Sequence, residues 1–399
     1  MRDKAMQSKK PAAPAKPRKA QREKAGRYYD YSLLFIIVFI ACFGLIMIYS
    51  ASYHAALTKG LSSFYYVKRQ GIIFAASLVA MVLFSKIDYH LFAYFAMPAY
   101  LVSVVFMVLV NFTPFGIEYN GKKRWFGIGN TSLFQPTELV KLALILFLAW
   151  LMVKMVRSID RWGKLVLIVL LTAIPGLLVL MNNLSSGIII FGIAFVMYFV
   201  ISRKKLRFFL AVVAGLLLIL VLLEVGDTLV EKGLMEAYRW ERILVWKNPE
   251  EYPQHGGFQV LQGLYAIGSG GLFGRGLGNS IQKLGFVPEA QNDMIFSIIC
   301  EELGLFGAIC VILMFLFMLY RFLVIACNAP DLFGTMLVVG VMAHIAIQVI
   351  LNIAVVTNTI PNTGITLPFI SYGGTSVLFL MGEMCMVLSV SNQIRKKTD

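Results

Sequence analysis

Ten long apolar runs set the character of this chain, at about residues 31–52, 67–85, 91–110, 138–156, 164–181, 187–202, 207–226, 295–322, 333–356 and 371–392. Each is close to the roughly 20 residues that a helix needs to cross a bilayer. The runs are continuous rather than alternating, so they predict helices and not the strands of a membrane barrel. The expected fold class is all-α integral membrane, with about ten transmembrane helices. Polar residues gather between the runs. Three outer connections (53–66, 111–137 and 357–370) are small or moderate, whereas a large extracytoplasmic loop, about 227–294, separates helices 7 and 8. A loop of that length is expected to carry structure of its own and to be functional. Within it, Leu229 to Trp246 has helical spacing, with Trp240 and Trp246 suited to the headgroup level, which predicts an interfacial helix.

Composition narrows the class. The chain is 59% hydrophobic and 14% charged, too little polar surface to cover a soluble fold of 399 residues. Residues 1–27 hold ten Lys/Arg among Ala, Pro and Gln, so 1–29 reads as a disordered basic tail. It lacks the apolar core and cleavage site of a secretory signal peptide. With that tail in the cytoplasm, 23 of the 36 Lys/Arg fall on the inner side, chiefly in the tail, 154–164, 203–207 and 395–397. The positive-inside rule therefore predicts a multi-pass membrane protein with both ends cytoplasmic. Residues 30–395 would form the polytopic domain and 396–399 a cytoplasmic C-terminus. The tail reads as an orientation signal attracted to anionic membrane lipids.

Metal chemistry has little purchase. Cys42, Cys300, Cys310, Cys327 and Cys385 lie within or beside apolar runs with no CxxC pair, and His54, His90, His255 and His344 make no HxxxH spacing. No cofactor is evident and no nucleic-acid partner is implied.

Charges inside apolar helices are costly, about 2.5–3.5 kcal/mol each on insertion scales, and face a cavity or a partner. Glu138 and Lys141 sit three apart on one face of the fourth helix, either as a mutual ion pair or as the lining of a polar cavity open to the outer surface. Glu301 and Glu302 enter the eighth helix together, so one is expected to face the bundle and the other to lie near the interface. Glu383 in the tenth helix reads as a structural hydrogen-bonding group. The glycine-rich stretch Gly268 to Gly278 lacks the βαβ context of a dinucleotide site. It either permits tight turns over the bundle or forms a nest of N–H groups for an anionic headgroup beside Arg275 and Lys283. Asp293, just before the eighth helix, can cap that helix. Basic residues, a glycine-rich turn and a long loop on the same outer face also make it a candidate catalyst.

Taken together, several stretches resemble the SEDS family (shape, elongation, division and sporulation) of FtsW/RodA-type membrane glycosyltransferases. They are Gly44-Leu-Ile-Met-Ile-Tyr-Ser-Ala-Ser52, Gly121-Lys-Lys-Arg-Trp-Phe126, Gln135-Pro-Thr-Glu-Leu-Val-Lys141, Arg239 to Gln259, Gly270 to Ser280, Pro288 to Gly304, and Pro361 to Gly374. The resemblance spans about 30–395, and the Tyr-Ser-Ala-Ser ending of the first helix is more similar to the FtsW or sporulation branch. It implies polymerisation of lipid II into β-1,4 glycan strands at the outer membrane face, for cell division or cell shape. The implied partners are a class B penicillin-binding protein as transpeptidase and other division or elongation membrane proteins. The family's essential aspartate falls on Asp293, its tryptophan region on Arg124 and Trp125, and its fourth-helix acid and base on Glu138 and Lys141. Gly276, Gly278, Ser280, Ser371 and Gly373 fall in the matching outer stretches and join the expected substrate-binding set. Two departures stand out. Asn292-Asp293-Met294 replaces Thr-Asp-Phe and keeps the carboxylate. Met181-Asn182-Asn183-Leu184-Ser185-Ser186 replaces Gln-Pro-Asp-Leu-Gly-Thr and loses one.

On this reading Asp293 is the base for the acceptor 4-hydroxyl. Arg124, Arg275, Lys283 and Lys141 are the candidate cations for the leaving diphosphate, a task that Mg²⁺ or Mn²⁺ could share. Grooves between helices would hold the prenyl tails. Two other functions fit a polytopic chain: a flippase for lipid II or another polyprenyl headgroup, and a non-catalytic division scaffold. A transporter is expected to show binding groups near the midplane and related repeat halves, and no repeat is visible here.

Overall fold

Inside a bilayer no water meets the backbone, so each apolar run must close its own hydrogen bonds as a helix. The computed structural model describes residues 27–119, 122–129, 131–231 and 237–395. The basic tail up to residue 26, Gly121, Lys232 and the 396–399 terminus lie outside the described residues. Among the described residues ten helices are long and apolar enough to span a membrane. The first seven are α1 (Tyr31–Thr58), α2 (Tyr65–Phe84), α3 (His90–Phe112), α4 (Pro136–Lys154), α5 (Trp162–Leu180), α6 (Leu184–Ile201) and α7 (Leu206–Glu231). Two shorter helices follow, α8 (Ala237–Lys247) and α9 (Gly257–Gly270). The last three spans are α10 (Ile295–Asn328), α11 (Leu332–Val356) and α12 (Gly374–Asn392).

Every expected span is present, with ends shifted by a few residues. The interfacial helix expected over 229–246 starts later, at Ala237, because the apolar run carries α7 on to Glu231. Helices α4, α11 and α12 are the innermost, and α7 stands at the rim with most of its apolar surface outward. Strand β1 (Arg27–Tyr28) pairs antiparallel with β5 (Ile394–Arg395), so the two ends meet on one side, as an even number of spans requires. On the opposite side a small antiparallel sheet fills the α3–α4 connection: β2 (Gly116–Tyr119), β3 (Lys122–Ile128) and β4 (Thr131–Phe134). The hydrophobic pattern did not predict it. Its anchor is aromatic, with Phe126 and Phe134 each edge-on to Phe106 of α3 at 5.1 Å between ring centroids.

Helix α10 is broken two turns in. Gly304 adopts φ 68° and ψ −168°, a conformation suited to glycine. The two helical bonds that would join Leu305 to Glu301 and Phe306 to Glu302 are replaced by bonds to the glycine-rich loop. Arg275 and Gly276 N–H donate to the Glu301 and Glu302 carbonyls, and Leu305 and Phe306 N–H donate to the Gly271 and Leu272 carbonyls, all within 2.9–3.1 Å. A side chain at Gly304 would place its Cβ 2.3 Å from the Gly274 nitrogen, so the close approach also demands glycine. The loop thus repairs the helix it interrupts.

Candidate active site

With the ends on one side, the N-termini of α4, α6, α10 and α12 all open on the other, together with the sheet, α8 and α9. A cavity of about 490 Å³ lies among these elements. Its wall is built by Arg124 of β3, Glu241 and Arg242 of α8, Gln259 of α9, Glu289 and Asp293 ahead of α10, and the strap Asn362–Gly364 between α11 and α12. The size suits a sugar headgroup, and polar groups at this density orient a ligand rather than merely enclose one.

Local chemistry places each part. Arg124 is held on β3 by the register pairing Trp125 with Ile117, and its Nε donates to the Asn182 carbonyl at 3.2 Å. Asn183 caps α6, its Oδ1 accepting from Ser186 N–H at 3.1 Å. The amide therefore serves as helix cap at the stretch where the family pattern carries a carboxylate. The strap is pinned from three elements. Ser185 Oγ donates to the Thr363 carbonyl at 2.7 Å, Arg242 Nη1 to the Asn362 carbonyl at 3.0 Å, and Asn362 Nδ2 to Gln259 Oε1 at 3.2 Å.

Asp293 is half-buried in this wall, and it does not cap α10: the cap residue is Met294, with no side-chain cap bond. Among the described residues its Oδ1 is sealed from solvent and meets no hydrogen-bond partner. The same holds for Thr363 Oγ1 in the strap. Asp293 and Thr363 thus bring two incompletely satisfied side chains to one cavity wall. Burial pushes the Asp293 carboxyl up to about 7, helped by Glu289 and opposed by Arg242 and by nearby backbone N–H groups. A carboxyl tuned there can take up a proton near neutral pH.

The remaining sequence candidates do not line the cavity. Lys283, expected as a diphosphate cation, is buried with Nζ 2.7 Å from Glu302 Oε1 and 2.8 Å from Ser50 Oγ. Its charge is already neutralised. Ser280 Oγ donates to Glu301, whose carboxylate also accepts from the N–H groups of Ile281 and Gln282 and lies 3.8 Å from Arg275 Nη1. Both glutamates are thus fully buried and face the bundle: the loop wraps them. Gly276 (φ 94°) and Gly278 (φ 83°) shape that wrapping loop. The Gly276 N–H and the adjacent Arg275 N–H serve helix carbonyls rather than an anion nest. Ser371 Oγ accepts from Leu367 N–H at 2.7 Å, and Gly373 N–H donates to Gln70 Oε1 at 3.3 Å, so these two order the turn before α12. Trp125 stays in the sheet outside the cavity lining.

Glu138 and Lys141 form the ion pair, at 2.9 Å and buried, and do not line the cavity of Asp293. The pair belongs to a longer chain. Lys141 Nζ donates to Gln348 Oε1 at 3.2 Å, His344 Nε2 lies 2.8 Å from the same oxygen, and His344 Nδ1 is 2.8 Å from Glu383 Oε2. Ser376 Oγ donates to Glu138 Oε2 at 3.3 Å. Glu383 is hydrogen-bonded as expected. Its partner His344 was not singled out, although His344, Gln348 and Asn352 at intervals of four in an apolar run are a readable stripe. Arg242, Glu289 and Thr363 lie inside the stretches Arg239 to Gln259, Pro288 to Gly304 and Pro361 to Gly374, where residue type alone does not set them apart.

The profile of the FtsW/RodA/SpoVE family, described as cell cycle protein, matches residues 31–396. Stage V sporulation protein E of Bacillus subtilis (strain 168) is 38% identical over 368 residues, covering 92% of this chain and 98% of that protein. A probable peptidoglycan glycosyltransferase FtsW of Geobacter metallireducens is 36% identical, covering 92% and 96%. Among solved structures, a chain from work on structural coordination of polymerization and crosslinking by a peptidoglycan synthase complex superposes with a TM-score of 0.73 at 27% identity, covering 92% of this chain and 99% of that one. The rod shape determining protein RodA of Thermus thermophilus superposes with a TM-score of 0.65 at 25% identity, covering 92% and 98%.

Proposed function

We infer the function from one premise: the chain belongs to the FtsW/RodA/SpoVE family of cell cycle proteins. It is a multi-pass membrane enzyme, a peptidoglycan glycosyltransferase that polymerises lipid II into β-1,4 glycan strands. The similarity to proteins named peptidoglycan glycosyltransferase supports this reading. The single structural observation behind the mechanism is the orphaned Asp293 Oδ1 in a cavity on the face opposite the chain ends.

In the proposed step the Asp293 carboxylate accepts the proton of the acceptor GlcNAc 4-hydroxyl. That oxygen bonds to C1 of the donor MurNAc, the C1–O bond to the diphosphate breaks, and the prenyl diphosphate leaves with the electron pair. Attack opposite the leaving group turns the α-linked donor into a β-1,4 product. Positioned acid–base groups contribute about 10²–10⁴-fold, and electrostatic stabilisation of the leaving charge adds to it. Arg124 and Arg242 are the cations in the cavity wall for that charge. Among the described residues no group of three or more His, Cys, Asp or Glu is placed to hold a metal ion.

The basic inner loops support a cytoplasmic placement of both ends, which puts the cavity outside the cell. A class B penicillin-binding protein is the proposed transpeptidase partner, in keeping with the similarity to a chain of a peptidoglycan synthase complex. The flippase alternative asks for open binding groups near the midplane. His344 and Glu383 lie in the middle of their spans, but they are buried and bonded to each other.

The test is Asp293→Asn in the full chain, purified with its partner and supplied with lipid II. The expected result is a folded protein whose glycan product on a gel falls at least about 100-fold. Strands made at the wild-type rate would remove Asp293 as the base.

A further inference from the structure

Helix α11 is apolar except for a stripe. His344, Gln348 and Asn352 recur at intervals of four, so they stack along one face. All three are buried, where an unbonded amide N–H would be costly. The amide of Asn352 spends both hydrogens on backbone carbonyls: Nδ2 donates to the Asp293 carbonyl at 2.9 Å and to the Ile365 carbonyl at 2.6 Å. One turn away, Gln348 Nε2 donates to the Thr366 carbonyl at 3.0 Å. Lys141 and His344 converge on Gln348 Oε1, which fixes the amide so that its nitrogen faces the strap.

Both walls of the reacting region therefore hang from α11. One wall is Asp293 itself; the other is the strap, which continues from Asn362–Gly364 into Ile365 and Thr366. They lie close enough that a methyl group built on Gly364 would fall 3.4 Å from Asp293 Oδ2. A single planar carboxamide bridges them at their backbones, so a shift of one wall relative to the other must break an Asn352 bond.

We propose, resting on the reading of Asp293 as base, that Asn352 is a positioning residue for glycosyl transfer: it fixes the main chain of the base against the substrate-facing strap. It touches no substrate atom. Its contribution is to hold the carboxylate at the distance and angle that the acceptor hydroxyl requires. Misplacement of about 1 Å can cost on the order of 100-fold in rate. The same clamp keeps Asp293 in its water-poor seat, so loosening it lets solvent reach the carboxyl and brings its proton affinity down toward the ordinary carboxylate range.

The experiment compares Asn352→Leu, which keeps the volume and loses both donors, with Tyr100→Phe. Tyr100 donates to the Leu171 carbonyl at 2.8 Å, an equivalent helix-to-backbone bond away from the cavity. Full-chain variants are assayed with the partner on lipid II across pH. For Asn352→Leu the expected result is a kcat about 10–100-fold lower, KM within about twofold, and an acid limb displaced to lower pH. Asn352→His, which retains one ring N–H donor, recovers part of the rate. Tyr100→Phe leaves KM and the limb in place. Should Leu prevent folding, Asn352→Ala removes both donors without adding a charge and is read the same way. An unchanged kcat and limb in a folded variant overturns the proposal. So does a loss that follows only the folded fraction, equally in Tyr100→Phe. An active Asp293→Asn would instead sink the base itself, whereas a dead Asp293→Asn beside a wild-type-like Asn352→Leu sinks the clamp alone.

Discussion

Two groups of buried acid flank the start of α10, and they are treated in opposite ways. Glu301 and Glu302 are wrapped by the glycine-rich loop and given donors: Lys283 and Ser50 on one, Ser280 and two backbone N–H groups on the other. Asp293, eight residues before Glu301, lines a cavity; Asp293 Oδ1 and Glu302 Oε2 both lack a hydrogen-bond partner among the described residues, so it is the cavity that sets the two apart. A charge wrapped by donors in a membrane bundle holds elements together, while a carboxyl on a cavity wall is available for a proton. The family motifs mark both places. Only the geometry tells which is architecture and which is chemistry.

The strongest way to break this contrast is to unpair the wrapped side. Lys283→Met leaves Glu302 as an uncompensated buried charge, expected to cost about 3–5 kcal/mol of stability. It reads as a lower unfolding midpoint and poorer yield in detergent. Lys283→Met with Glu302→Gln is expected to recover most of the loss. An unaffected midpoint in the single variant would mean that the pair contributes nothing to the architecture. A smaller effect lies in α4. Neutralising Glu138 or Lys141 singly is expected to destabilise more than neutralising both, with a coupling of about 0.5–3 kcal/mol in a double-mutant cycle. Additive losses would show that the two act separately. The smallest effect sharpens the cavity side. The base works deprotonated, so turnover is expected to fall as pH drops through about 7, the value to which burial raises Asp293. Glu289 adds to that rise, so Glu289→Gln should move the acid limb to lower pH, by about half a unit for a partly solvated neighbour. A limb that stays in place, or moves up, would show that Glu289 does not act on the base.

The spans were legible because their signal is redundant: some twenty apolar residues carry it, and no single residue decides. The β2–β4 sheet was not, since four-residue strands such as Thr131–Phe134 are too short for a period of two to show above turn residues. Asp293 could be found because it stands in a distinctive stretch at the mouth of a span. Its surroundings could not. Lys283 and Arg275 looked like loop cations in one dimension, and only the break at Gly304 turns the loop inward to deliver them to Glu302 and Glu301. The stripe on α11 lay in plain view as a periodicity, but its partners, the carbonyls of Asp293, Ile365 and Thr366, belong to backbone and leave no mark on residue type.

The mended break in α10 bears on how this chain is made. Residues 271–276 leave the ribosome before α10, so the donors and acceptors that close the gap are already present when the helix emerges. Without the loop, α10 would have to straighten at Gly304 to pair the Leu305 and Phe306 amides with the Glu301 and Glu302 carbonyls, because the bilayer disfavours unpaired backbone groups by several kcal/mol each. The break is therefore set when helix α9, its loop and the first turns of α10 meet as one hairpin. A ribosome stalled after α10 is expected to display this hairpin already assembled, before α11 has been made.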